Sequence, residues 1–240
     1  MKQITISILA VLMFFGNLPA QIPSSGRSER VIKKVTPKLE TEFESKKLKL
    51  GNNIFIRIFK EEYVLQAWVN DGKKYTLFKE YPIAYYSGGL GTKTKLGDQK
   101  SPEGFYAITP KSLNPASSYH LSFNIGYPNA YERHRGYTGS HIMVHGSDVS
   151  IGCYAMTDPQ IEEIYTIVHK AFEGGQKEIR VHIFPFKMTQ KNMEKHKGDK
   201  NMPFWKELVE GYNYFESTEN PPKMRVNNKG KYYAAKDITP

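Results

Sequence analysis

From Asn53 onward apolar positions recur every second residue. Ile54, Ile56 and Ile58 alternate with Phe55, Arg57 and Phe59, which predicts a strand with one face on a core. Tyr63 to Val69 is a second β-prone run. Asn70-Asp71-Gly72 is a turn signal leading into Lys74 to Phe78, and Tyr81 to Tyr86 reads as a further strand. The opening half is antiparallel β on this reading. Ser87-Gly88-Gly89-Leu90-Gly91 interrupts it, and Gly97 to Ile108 reads as a turn feeding a short strand.

Thr109 to Ser140 shows no sustained period. It is rich in Tyr, His, Asn and Arg, and predicts a long loop with a short strand at Tyr119 to Ile125. Loops of that length are functional or disordered, and the aromatic content favours one that covers a substrate. Ser140 to His145 alternates again and predicts a strand ending at Gly146. Thr157-Asp158-Pro159 is a helix start, with Ile161, Ile164, Tyr165, Val168, Ala171 and Phe172 on one face and Gly174-Gly175 as the stop. A strand follows through Ile179, Val181 and Ile183, and His169 and His182 read as surface or satisfied histidines. Pro203 to Glu210 reads as a short helix, and the tail beyond it has little period. Gln21 to Leu50 is charged and irregular, a flexible tether turning helical near Leu39 to Leu48.

The N-terminus places Lys2 before an apolar run from Ile4 to Phe15, then small residues ending at Ala20. That order predicts an export leader over 1–20, cut after Ala20, with an uncleaved anchor as the rival reading. No cysteine follows the run to carry a lipid. The expected location is the periplasm or cell envelope. Among 240 residues Cys153 is the sole cysteine, so no internal disulfide can form, and an exported free thiol is either buried or used. The net charge of +10 is spread over the chain without a nucleic-acid motif. We read it as weak attraction to an acidic polymer or membrane surface, or as a solvated lysine face; contact with a membrane is peripheral at most.

Two chemistries compete around Cys153. His141 and His145 are four apart, a ligand spacing in a helix. In a strand the same spacing separates them by about 13 Å, at roughly 3.3 Å per residue, so they cannot share a zinc ion. No metal or other cofactor is expected. A thiol nucleophile fares better. Ser147 to Ile151 is short enough to fold back and bring Cys153 toward His145, which can take the thiol proton. Gly152 leaves backbone N–H groups open to a developing oxyanion. By spacing alone, a small buried thiol beside a strand is an equal alternative.

His145-Gly146 followed by Ser150-Ile151-Gly152-Cys153 resembles the signature of L,D-transpeptidases of the YkuD type. Gly97 to Tyr106, Tyr119 to Pro128, Gly152 to Asp158 and the Phe204 to Glu216 region resemble the YafK-like branch, so the resemblance spans roughly Leu50 to Tyr233. Two departures from the wider family are Ile151, where a second histidine stands, and Ala155, in place of an arginine beside the substrate pocket; the branch shares both.

The resemblance implies an α+β protein with a β-rich, sandwich-like mixed sheet and a helix after the catalytic cysteine. It implies a catalytic domain over 51–187, preceded by the charged segment 21–50 and followed by an extension over 188–240 packed on it. Cys153 is then the nucleophile toward peptidoglycan stem peptides at diaminopimelate. His145 is the base, its second ring nitrogen held by the Gly146 carbonyl. The amides of Gly152 and Cys153 receive the oxyanion, with Gly146 and Ser150 shaping the site. Arg133, Tyr131 and His120 are weaker candidates for binding the stem peptide. The acyl acceptor is an amine, or water in a hydrolase that releases wall-attached protein. A catalytically silent wall-binding module is the alternative from another class. A papain-like peptidase ranks low, because its cysteine precedes its histidine.

Overall fold

The computed structural model describes residues 21–235, so the expected leader at 1–20 lies outside the described residues. The charged segment after it is ordered. Helix α1 (Gly26–Ser45) starts well before Leu39, capped by Ser25, whose hydroxyl accepts from the Ser28 amide at 3.2 Å. Val31, Val35, Leu39 and Phe43 recur every four residues and are buried. The tether expected over 21–50 is therefore corrected. Its apolar stripe is only one residue wide per turn and is hidden among lysines and glutamates, a pattern that depends on tertiary packing.

Strands β1 (Ile54–Phe59), β2 (Val64–Asn70) and β3 (Tyr75–Pro82) form the expected antiparallel meander. Tyr81 belongs to the end of β3, and only the two-residue β4 (Tyr85–Tyr86) follows in place of the further strand predicted there. Next come β5 (Gly104–Ile108), a 3-10 turn at Pro110–Ser112, β6 (Leu113–Asn114), β7 (Ser122–Asn124) and helix α2 (Ala130–His134). The stretch read as one long loop is thus pinned by short elements. At its centre Arg27 of α1 donates to the carbonyls of Ser117 and His120 at 2.7 and 2.6 Å. Strands β8 (Met143–His145) and β9 (Tyr154–Ala155) lead into α3 (Asp158–Glu173) and β10 (Ile179–Phe184).

The first sheet has the order β3-β2-β1-β10-β5, and the second β4-β9-β8-β7-β6. Each contains one parallel pair, β1 with β10 and β8 with β9. Ile54, Ile56, Ile58, Val181 and Ile183 share a core with Phe123, Val144 and Tyr154 of the second sheet and with the apolar faces of α1 and α3. This is the mixed α+β architecture.

β1 is buried on both faces, not one. Its second face meets α5 (Met202–Thr218), which follows the short α4 (Gln190–Lys195) and is twice the length read from Pro203 to Glu210. Phe55 packs on Phe215 at 4.9 Å, and the Arg57 guanidinium lies between the rings of Phe59, Phe184, Tyr212 and Phe215 while pairing with Glu216 at 2.7 Å. An arginine at an alternating position signals solvent in a sequence; here stacking on four rings and one ion pair hold it in the interior, with two of its nitrogens left without a hydrogen bond among the described residues. The same layer buries His182, 1 % exposed, and His169 is also buried; of the two expectations, surface or satisfied, the surface one is corrected for both, and Nδ1 of each has no hydrogen-bond partner among the described residues. A hairpin of β11 (Lys223–Val226) and β12 (Tyr232–Ala235) closes this side.

Candidate active site

β8 and β9 run parallel with Val144 opposite Tyr154 and His145 opposite Ala155. Carried back one residue, that register sets Cys153 beside Met143. His145 is two positions further along the neighbouring strand, which alternation turns to the same face. A strand spacing of about 4.8 Å and a rise of about 3.3 Å per residue put the two Cα atoms roughly 8 Å apart, a span that a thiol and an imidazole can bridge.

The half-buried Cys153 Sγ faces the Met143 amide, which donates to it at 3.3 Å, and its thiol lies 3.7 Å from the His141 carbonyl. His141 itself is exposed with φ +56°, just outside the strand; it contributes only its carbonyl. His145 is 2 % exposed; its Nδ1 lies 2.5 Å from the Gly146 carbonyl, and Tyr119 covers its ring at 4.7 Å between centroids. A carbonyl can only accept, so Nδ1 carries the proton and Nε2 keeps its lone pair.

Burial pushes the Cys153 thiol up, opposed by the Met143 amide and by the charge of Lys93. Burial pushes His145 down, opposed by the Gly146 carbonyl. The two shifts favour a neutral thiol and a neutral imidazole at neutral pH rather than a resting ion pair, and the sulfur's hydrogen-bond partners are the Met143 amide and the His141 carbonyl, not the imidazole. Such a pair can act as nucleophile and general base in one step.

Two glycines make this backbone possible. Gly152 has φ +93°, a left-handed conformation that side chains strain to adopt. A Cβ on Gly146 would sit 2.5 Å from Asp158 Oδ1 and 2.9 Å from the Tyr119 carbonyl. Asp158 opens α3 and accepts from the Ser147 amide at 2.8 Å, so the helix start and the turn after His145 are locked together.

The amides assigned to the oxyanion are not free. Gly152 N–H donates to Ser87 Oγ at 2.6 Å, and Cys153 N–H donates to Ser150 Oγ at 2.9 Å. Ser150 is therefore a direct partner of the cysteine backbone, and an incoming oxyanion competes with two hydroxyls. Ser101 Oγ completes the frame by donating to the Cys153 carbonyl at 3.0 Å.

The weaker candidates do not gather here. Tyr131 is 2 % exposed, stacked on Tyr232 at 4.4 Å and under Arg135, so it packs in the second core cluster. Arg133 donates to the Pro128 carbonyl and lines a groove whose walls include neither Cys153 nor His145. His120 brings only its Cβ near Gly146, while its ring pairs with Glu162 at 3.1 Å.

Lys93 went unnoticed in the sequence. It is 5 % exposed, donates to Asp98 at 2.7 Å and to the Lys95 carbonyl at 2.9 Å, and adds positive charge near the thiol. Against the cost of its own burial, Asp98 is held down to about 2 by Lys93 and the amides of Thr94, Lys95 and Lys100. Nothing in Thr92-Lys93-Thr94-Lys95 distinguishes this lysine from a solvated one. Ser87 was equally invisible, since a serine beside two glycines reads as a turn.

The domain is mixed α+β, with a thiol just before β9 and an imidazole at the end of its parallel neighbour β8. The chain belongs to the YkuD family of L,D-transpeptidase catalytic domains, whose family model matches residues 53–183. YafK, a candidate L,D-transpeptidase of Escherichia coli K12, is 47 % identical over 196 residues, which cover 82 % of this chain and 79 % of that protein; its counterpart in Escherichia coli O157:H7 matches to the same extent. The helical cell shape determining protein Pgp2 of Campylobacter jejuni aligns over 83 % of this chain and 78 % of its own in the K307A form, with 19 % identity and a TM-score of 0.46. Bd1075 of Bdellovibrio bacteriovorus aligns over 68 % and 62 %, with 20 % identity and a TM-score of 0.38.

Proposed function

We propose that the protein is an exported cysteine enzyme that acts on peptidoglycan stem peptides through an acyl-enzyme at Cys153. The observation that carries the reading is the placement of Cys153 immediately before β9 and of His145 at the end of the parallel neighbour β8, with Nδ1 of His145 anchored by the Gly146 carbonyl. His145 Nε2 takes the thiol proton as sulfur attacks the carbonyl of a stem-peptide amide at diaminopimelate, next to a D-centre, and returns it to the departing amine. The amides of Gly152 and Cys153 leave the hydroxyls of Ser87 and Ser150 for the oxyanion; loss of one such donor costs about a hundred- to a thousandfold in rate. The acyl group then passes to an amine, giving a crosslink or protein attachment, or to water. Ala155 is fully buried where the wider family carries an arginine, so the stem-peptide carboxylate is met by other residues.

Intact-mass spectrometry after incubation with a carbapenem or a stem tetrapeptide tests the reading. One adduct on the wild type and none on Cys153→Ala is expected; no adduct on the wild type, or equal labelling of the variant, sinks it. Incubation with purified muropeptides then names the acceptor, since tripeptides, dimers and released protein adducts differ in mass.

A further inference from the structure

A groove of about 320 Å³ lies where β5 and β10 of the first sheet meet α2 and the β11–β12 hairpin. Its lining brings Arg133, Arg180, Lys223 and Arg225 together, with Glu178 as the one acidic wall residue and no part of the Cys153 site. Sequence separates these cations widely; the hairpin folding back over β10 collects them. Among the described residues none of the four forms an ion pair. Arg133 and Arg180 each spend one nitrogen on a carbonyl, of Pro128 and Pro221, which fixes the guanidinium groups in place and leaves their other donors unused.

A second observation is independent of the surface charge. His182 also lines the groove, is 1 % exposed, and its Nδ1 is buried without a hydrogen-bond partner among the described residues. A buried ring nitrogen without a partner calls for an explanation. Its other neighbours, Phe55 and Phe105, meet it edge-on at 4.8 Å and offer no acceptor. Burial and the charges of Arg57 and Arg180 push the ring well below its ordinary pKa, so at neutral pH it is neutral and still carries one N–H.

We propose that this groove is a second ligand site, distinct from the Cys153 centre, that binds an oxyanion group, carboxylate or phosphate, of a small acidic ligand. The fixed guanidinium forks match the planar or tetrahedral oxygen arrays of such groups, and Lys223 and Arg225 close the open side. Excess positive charge with a single opposing carboxylate selects against cations and neutral ligands.

The test is a titration of the folded protein at low salt with inorganic phosphate in one arm and succinate in the other, followed by calorimetry and by the nitrogen-15 signals of the His182 ring. Saturable binding in at least one arm, movement of the His182 signals, and a loss of tenfold or more in the Lys223→Gln/Arg225→Gln double variant are expected. Both substituted residues are exposed, so the variant should keep the fold; Arg133→Gln, also on the surface, provides a second check with a loss in the same direction. Preference between arms identifies the group. Absence of saturation in both arms, or unchanged affinity in both variants, overturns the proposal. Acylation at Cys153 is a separate readout, so failure here leaves the catalytic reading untouched.

Discussion

Trp205 Nε1 donates to Glu103 Oε2 at 2.8 Å, tying α5 to the segment that frames the cysteine. The other oxygen of that carboxylate accepts from Lys60 Nζ at 2.9 Å, and Lys60 also holds the carbonyls of Gly91 and Ser101 at 3.0 Å each. Lys60, Glu103 and Trp205 are all fully buried. Ser101 in turn holds the Cys153 carbonyl, so one polar chain runs from the C-terminal helix to the cysteine backbone. Such a pair stays in the interior because every charge has partners; it is stable as a set and fragile in its parts.

Glu103→Gln leaves the Lys60 ammonium buried without its counter-charge and should cost about 3–5 kcal/mol in urea unfolding. Lys60→Met combined with Glu103→Leu removes both charges and should cost less than the single change. Trp205→Phe removes only one donor and should cost about 1–3 kcal/mol. Equal stability of Glu103→Gln and wild type would show that the chain does not hold the loop.

His145→Ala should slow acylation of Cys153 by about a hundred- to ten-thousandfold, the range for a general base, with little change in fold. With the thiol pushed up and the imidazole pushed down, iodoacetamide should alkylate wild-type Cys153 at pH 7 more slowly than a free cysteine, with the rate climbing above pH 9. The linkage to stability has opposite signs for the two groups. A raised thiol pKa adds stability that is lost as pH rises past the unfolded value, and a lowered histidine pKa makes stability fall as pH drops below about 6.5. Fast alkylation at pH 6 would instead reveal a resting thiolate–imidazolium pair.

Ser150→Ala strips the Cys153 amide of its hydroxyl partner. Stability should fall by about 1–3 kcal/mol through the unpaired donor. Because the amide is then unpaired in the ground state and paired only with the oxyanion, carbapenem acylation should hold or quicken. A hundredfold loss of acylation would place the Ser150 hydroxyl itself in the reaction.

Glu132 is buried, and burial raises its carboxyl to about 7, offset in part by the Tyr106 hydroxyl and the Asn129 amide. A carboxyl raised in the folded state adds stability that is complete below its unfolded value, near 4.5, and is lost as pH rises through about 7. Unfolding free energy measured from pH 4.5 to 8 should therefore fall less steeply in Glu132→Gln than in wild type, by up to about 1.4 kcal/mol for each pH unit between those limits. Parallel curves would assign the pH response to other groups.

Periodicity alone located the β1–β3 meander, α3 and β10, because apolar residues alternate or recur there at strand or helix spacing, even though β1 proved to be buried on both faces. The resemblance rested on residues that are close in sequence, from His145 to Cys153, so the local block was legible too. What stayed hidden depends on contacts between distant segments. α1 looked like a tether because its stripe acquires meaning only against α3. The 109–140 region looked like one loop because Arg27, some ninety positions away, holds it in place.

The stretch from His141 to Tyr154 therefore determined which residues could do chemistry: one thiol, one histidine at the right remove, and two glycines where side chains do not fit. Only the tertiary structure decided their state. Parallel pairing of β8 with β9 turned Cys153 and His145 to one face, burial moved their proton affinities apart, and Ser87 and Ser150 took the amides that spacing had left open. It also packed Tyr131 against Tyr232, set Arg133 on a separate groove, and brought the charge of Lys93 toward the thiol. Sequence records which groups are available, whereas dielectric, partners and competing hydrogen bonds are set by residues far along the chain, and those fix what each group can do.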